Sequence, residues 1–117
     1  MQIHLFDKDQ AAETYAAGAT IFQTGDVGAH MFALIAGTVE IRINGKVVET
    51  VGAGGVFGEM ALIADRPRTG TAVVQTEAKV VPIDRKRFMF LVQQNPFFAL
   101  QIMAIMAERL RRMDEEL

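Results

Sequence analysis

Gly54-Gly55-Val56-Phe57-Gly58-Glu59-Met60-Ala61-Leu62-Ile63-Ala64-Asp65-Arg66-Pro67-Arg68-Thr69-Gly70-Thr71-Ala72 is the stretch on which the fold turns. It lies between two runs with the look of strands, so it reads as an insertion in a β structure. It opens on glycines, which let a backbone approach a ligand closely. Met60-Ala61-Leu62-Ile63 holds helix formers and no breaker, and the segment closes on Pro67-Arg68-Thr69. A short helix that follows a Gly-Glu step presents free N–H groups to an anion. Arg68 returns one or two turns later with a planar fork of donors suited to phosphate. Glu59 in the same place would repel a phosphate, so its carboxylate makes sense as an acceptor for a neutral donor such as a ribose hydroxyl. Phosphate, hydroxyl and an apolar wall together describe a nucleotide.

Working outward, most of the remaining chain reads as β. Glu13–Phe22 is broken by Gly18, as two short strands at a corner would be, and Gln23–Asp26 is a turn cluster. Met31–Ile35 is a short apolar run ahead of Gly37. Val39, Ile41 and Ile43 then alternate with Glu40, Arg42 and Asn44, the period of a half-buried strand. Asn44-Gly45 favours a type I′ turn, and Lys46–Val51 returns as the second arm of that hairpin. Thr71–Gln75 and Lys79–Ile83 read as two further strands.

The C-terminal third changes period. Asp84 caps a helix running through Val92, and Asn95-Pro96 starts another. Leu100, Met103, Ala107 and Leu110 recur at helical spacing, with Ile102, Ile105, Met106 and Met113 widening a stripe expected to pack on the sheet. Arg109, Arg111 and Arg112 sit near the C-terminal end, where cations suit the helix dipole. The fold class is therefore mainly β with helices. The expected architecture is an antiparallel β-barrel of about residues 12–83, with one short inserted helix, then two helices over about 84–116, in one domain spanning 1–117.

The bulk numbers narrow the function. A chain of 117 residues, half of them apolar, builds one ordinary core. Net charge of -2 argues against a general nucleic-acid surface, which needs a basic excess. With no cysteine there is neither a disulfide nor a thiolate metal site, and a reducing compartment is expected. Met1–Phe6 lacks a signal-peptide pattern, and the apolar region Pro96–Ala107 is too short to span a bilayer, so a cytoplasmic protein with no membrane partner is expected. Two histidines far apart and no cysteine disfavour a metal enzyme of the cupin-barrel type, so no catalytic and no metal residues are assigned. His4 and His30 read as surface or rim residues.

Phe57-Gly58-Glu59-Met60-Ala61-Leu62, with Pro67-Arg68-Thr69 beyond it, resembles the phosphate-binding cassette of cyclic-nucleotide-binding domains. Ile21-Phe22-Gln23-Thr24-Gly25-Asp26 resembles that family's Phe-x-x-Gly-Asp turn, and Met31–Val39 its next strand and turn. The resemblance implies a jelly-roll barrel of the double-stranded β-helix type and a ligand set of Phe57, Gly58, Glu59, Met60, Ala61, Arg68 and Thr69, with Phe57 read first as core. It implies that Arg68 pairs with the exocyclic phosphate oxygens, and that Gly58 and Ala61 offer backbone N–H groups. Glu59 would accept from the ribose 2′-OH, and Thr69 would touch phosphate or a guanine amino group. The implied function is a sensor module that binds cyclic AMP without a cofactor. In it the terminal helix moves as a lid, and a homodimer through that helix or a separate protein partner carries the output. The short segment His4–Ala12 and the lack of a DNA-reading segment after Leu117 lead to the expectation that any output passes through that last helix or a separate partner. A cyclic-GMP module and a ligand-free scaffold on the same barrel remain open alternatives.

Overall fold

Two long strands organise the sheet. A computed structural model describes residues 2–116, with side chains through Arg112. The elements are β1 (Glu13–Tyr15), β2 (Thr20–Phe22), β3 (His30–Ile43), β4 (Lys46–Val51), β5 (Val56–Phe57), α1 (Glu59–Ala64), β6 (Thr71–Asp84), α2 (Arg85–Gln94) and α3 (Pro96–Glu116). The described residues divide into two compact units, residues 2–85 and residues 86–116.

In the first unit β3 and β6 pair antiparallel along their lengths, from His30↔Asp84 to Arg42↔Thr71. β4 and β5 pair with β3, whereas β1 and β2 pair with β6. The expected break between Met31–Ile35 and Val39–Ile43 is absent, because the strand passes through Gly37 as an irregularity. The register shifts between Leu34 and Val39, and Gly37 sits at φ 86. Only glycine fits there, since a Cβ would collide with the Glu77 carbonyl opposite. The same pairing joins Thr71–Gln75 and Lys79–Ile83 into one 14-residue β6. The hairpin reads as expected: Asn44 and Gly45 have φ 53 and 78, the twin positive values that a type I′ turn demands.

The closed barrel is corrected. The hydrogen-bonded path runs β1-β6-β3-β4 with β2 and β5 beside it, and among the described residues no pairing joins β1 to β4. Antiparallel alternation sets which face is apolar, whereas closure depends on partners far apart in sequence. One face of the sheet carries Phe32, Leu34, Val39, Val51, Phe57, Ala72, Val74 and Val80 in a continuous core. The segment before β1 belongs to this unit: Ile3 and Phe6 are buried, and Ile3 N–H donates to the Gly54 carbonyl at 2.6 Å.

The second unit contains α2 beyond Arg85 and all of α3. Phe88 and Phe98 meet edge to face at 5.8 Å, and Phe98 N–H donates to the Asn95 carbonyl at the start of α3. The expected packed stripe is corrected. Leu100, Met103 and Leu110 are 59%, 56% and 63% exposed, whereas Phe98 and Ile102 are buried. Helical spacing identifies an apolar stripe, but where a helix is apolar on several sides, as over Pro96–Ala107, spacing does not choose which side is covered. Met113, counted in the same stripe, lies outside the residues whose side chains are described. Among the described residues no single helix is long and apolar enough to cross a membrane.

Candidate functional site

The site forms where β5 runs into α1 and the chain returns toward β6. Phe57 ends β5 in the core, stacked on Phe32 at 5.3 Å and tilted against Phe22 at 6.1 Å. Gly58 then takes φ 78 and caps α1 with no side-chain bond, so the helix opens on bare backbone. Asp65 ends α1 at φ 53. Its carboxylate lies 3.8 Å from Arg85 and is almost fully exposed, so it does not engage Arg68.

Arg68 is the centre of the arrangement, with only 7% of its surface exposed. Its Nη1 donates to the Gly58 carbonyl at 2.7 Å, and its Nη2 donates to the His30 carbonyl. The guanidinium lies over the Phe22 ring at 4.1 Å from the centroid, a cation–π contact. Its backbone is held as well, since Arg68 N–H donates to the Asp26 carbonyl and Gly25 N–H donates to the Arg68 carbonyl. The Asp26 side chain in turn accepts from Gln23 N–H at 2.9 Å, which fixes the turn. The arginine is thus clamped from both sides, while its Nε is buried with no hydrogen-bond partner among the described residues. Burial pushes the guanidinium pKa below its ordinary value, opposed by the charges of Asp26 and Glu59.

Glu59 is 3% exposed, so it is not a solvated surface carboxylate, and its charge acts on Arg68. Nine positions apart in sequence, the two charged groups are the two buried polar residues of the chain's described part. Ala61 is buried beside them on α1. Met60, on the next position of that helix, is 55% exposed, and Thr69 is exposed. Arg66 faces solvent.

The structure adds Phe22, Asp26 and His30 to the residues around Arg68. Phe22 and Asp26 had a sequence signal, for both lie in the Phe-x-x-Gly-Asp turn, but that motif reads as a turn and not as a floor for an arginine. His30 contributes a backbone carbonyl, a role with no side-chain signature. His4 is exposed and sits 3.1 Å from Asp7.

The family profile described as "Cyclic nucleotide-binding domain" matches residues 12–95. The chain belongs to the cyclic nucleotide-binding domain family. The catabolite activator protein of Thermus thermophilus superposes on this domain with a TM-score of 0.81 at 28% identity, covering 90% of this chain and 52% of that one. A structure of PKAR CBD2 bound to Sp-2Cl-cAMPS superposes with a TM-score of 0.71 at 29% identity, covering 88% of this chain and 70% of that one. Rap guanine nucleotide exchange factor 1 of Caenorhabditis elegans is 32% identical over 79 residues, which are 67% of this domain but 8% of the exchange factor. The domain thus spans about half of the activator protein and a small part of the exchange factor.

Proposed function

We propose that this cyclic nucleotide-binding domain takes cyclic AMP and acts as a binding module, not an enzyme, with its C-terminal helix as the element that responds. The observation that carries the proposal is Arg68, a buried cation with an unmatched Nε–H at the opening of α1. Burial desolvates its charge, and the charges of Asp26 and Glu59 only oppose that effect, so an anion seated there would relieve a cost already present in the fold. Arg68 then pairs with the exocyclic phosphate oxygens, Gly58 and Ala61 offer backbone N–H groups, and Glu59 accepts from the ribose 2′-OH. Thr69, at the exposed end of the segment, stands near enough in sequence to add a hydroxyl. Phe57 serves as the apolar support beneath this set. The ligand alone completes the site in this reading, without a metal or cofactor. Relatives at 29% identity described as bound to cyclic AMP or its analogue favour cyclic AMP over cyclic GMP.

Thermal unfolding with cyclic AMP, cyclic GMP, cyclic di-GMP and 5′-AMP tests the reading. Ligand at 100 times its dissociation constant adds about 2.7 kcal/mol to stability, a readily measured shift. Cyclic AMP is expected to give the largest rise. A shift no greater than that from 5′-AMP would end the proposal and leave the ligand-free scaffold. A response of α3 is tested by backbone spectra of its residues with and without saturating cyclic AMP, which are expected to differ.

A further inference from the structure

The loop between β2 and β3 meets the cassette at Gly28. A Cβ built there would overlap the Ala61 Cβ and stand 3.0 Å from both Cζ and Nε of Arg68. Backbone conformation does not explain the glycine, because Gly28 is absent from the residues of positive φ that include its neighbour Gly25 at φ 93. What requires the missing side chain is contact.

We propose that Gly28 is a positioning residue for the phosphate site: its bare backbone lets the loop lie against α1 and Arg68 at once, and so sets the guanidinium and the helix opening relative to each other. The inference rests on the proposed binding role of Arg68 and Ala61. Neither neighbour can yield cheaply. The Ala61 Cβ is bonded directly to the helix backbone, so moving it means moving α1. Arg68 is tied at Nη1 to Gly58, at Nη2 to His30 and through its backbone to Gly25 and Asp26. One methyl at position 28 therefore strikes two separate groups assigned to the phosphate, and it strikes Arg68 at the Nε edge that has no partner. A misplacement of about an ångström at such a group is enough to cost binding geometry.

The test compares Gly28→Ala with Gly52→Ala, a control at an exposed glycine with nothing within 4 Å of its Cβ position and an ordinary φ. Two readouts are used: calorimetric titration with cyclic AMP, and the Arg68 Nε–Hε correlation in unligated protein. Gly28→Ala is expected to weaken binding at least ~10-fold and to shift the Nε signal, while its far-UV circular dichroism stays native. Gly52→Ala is expected to move neither readout. Adding Ala61→Gly removes the overlapping methyl, so Gly28→Ala is expected to cost less affinity in the Ala61→Gly background than in the parent. Unchanged affinity, or an unmoved Nε signal, in Gly28→Ala overturns the proposal. If Gly28→Ala does not fold, the double variant decides: native spectra with recovered binding support it, and continued unfolding refutes it. If the parent domain binds no cyclic nucleotide, the proposed function fails, and the Nε signal still judges the positioning role.

Discussion

Truncating Arg68 to alanine should lower stability as well as affinity, because the side chain bonds to two carbonyls before any ligand arrives. Charge-assisted hydrogen bonds contribute about 1.5–3 kcal/mol each, so the bonds to Gly58 and His30 total roughly 3–6 kcal/mol. The cation is desolvated in the same place, and removing it returns part of that sum. The cation–π contact with Phe22 adds a smaller loss. A net destabilisation of about 2–4 kcal/mol follows. For a domain of this size that corresponds to a fall in Tm of roughly 8–16 °C. Scanning calorimetry of the parent and Arg68→Ala, without ligand and then with saturating cyclic AMP, separates the two effects. The ligand-induced rise in Tm should shrink in the variant, in line with a loss of affinity of at least ~10-fold. An unligated Arg68→Ala that melts within about 2 °C of the parent would refute the view that the clamp is part of the fold. Arg68→Lys keeps the charge but not the fork, so it should recover only part of either loss.

Other expectations follow from the same geometry. Glu59→Gln should weaken cyclic AMP by about 10-fold, yet change the affinity for 2′-deoxy cyclic AMP little, because the carboxylate is assigned to the 2′-OH; equal losses for both ligands would remove that role. Phe57→Ala should destabilise by about 3–5 kcal/mol in chemical denaturation, since the ring is buried between Phe32 and Phe22; a cost below about 1 kcal/mol would contradict its place in the core. On α3, Ile102→Ala should cost about 2–4 kcal/mol, whereas Leu100→Gln should stay within about 0.5 kcal/mol; the reverse order would restore the stripe expected from spacing alone.

Much of the fold was legible because its signals are local. Asn44-Gly45 announces a turn with two positive φ values, and the alternation of Val39, Ile41 and Ile43 announces the strand leading into it. The cassette segment was legible because its helix, its cap and its terminator are adjacent in the chain, and α1 spans Glu59–Ala64 between Gly58 and Asp65. Strand length was not. Gly37 looked like an end and proved to be a bend, because the pairing partner Glu77–Ala78 carries the strand across it. The barrel was over-read for a related reason: alternation shows that one face is apolar, but not whether the sheet edges meet.

The chain alone determined which residue types stand ready near one another, namely a glycine-led helix, a carboxylate and a forked cation nine positions on. Those choices depend on short-range stereochemistry, which a sequence displays directly. Only tertiary structure decided that the cation is buried over Phe22, bonded to the carbonyls of Gly58 and His30, and pressed by Gly28. Backbone carbonyls and missing side chains leave no signature in composition or spacing, so a site built from them becomes visible when distant segments pack.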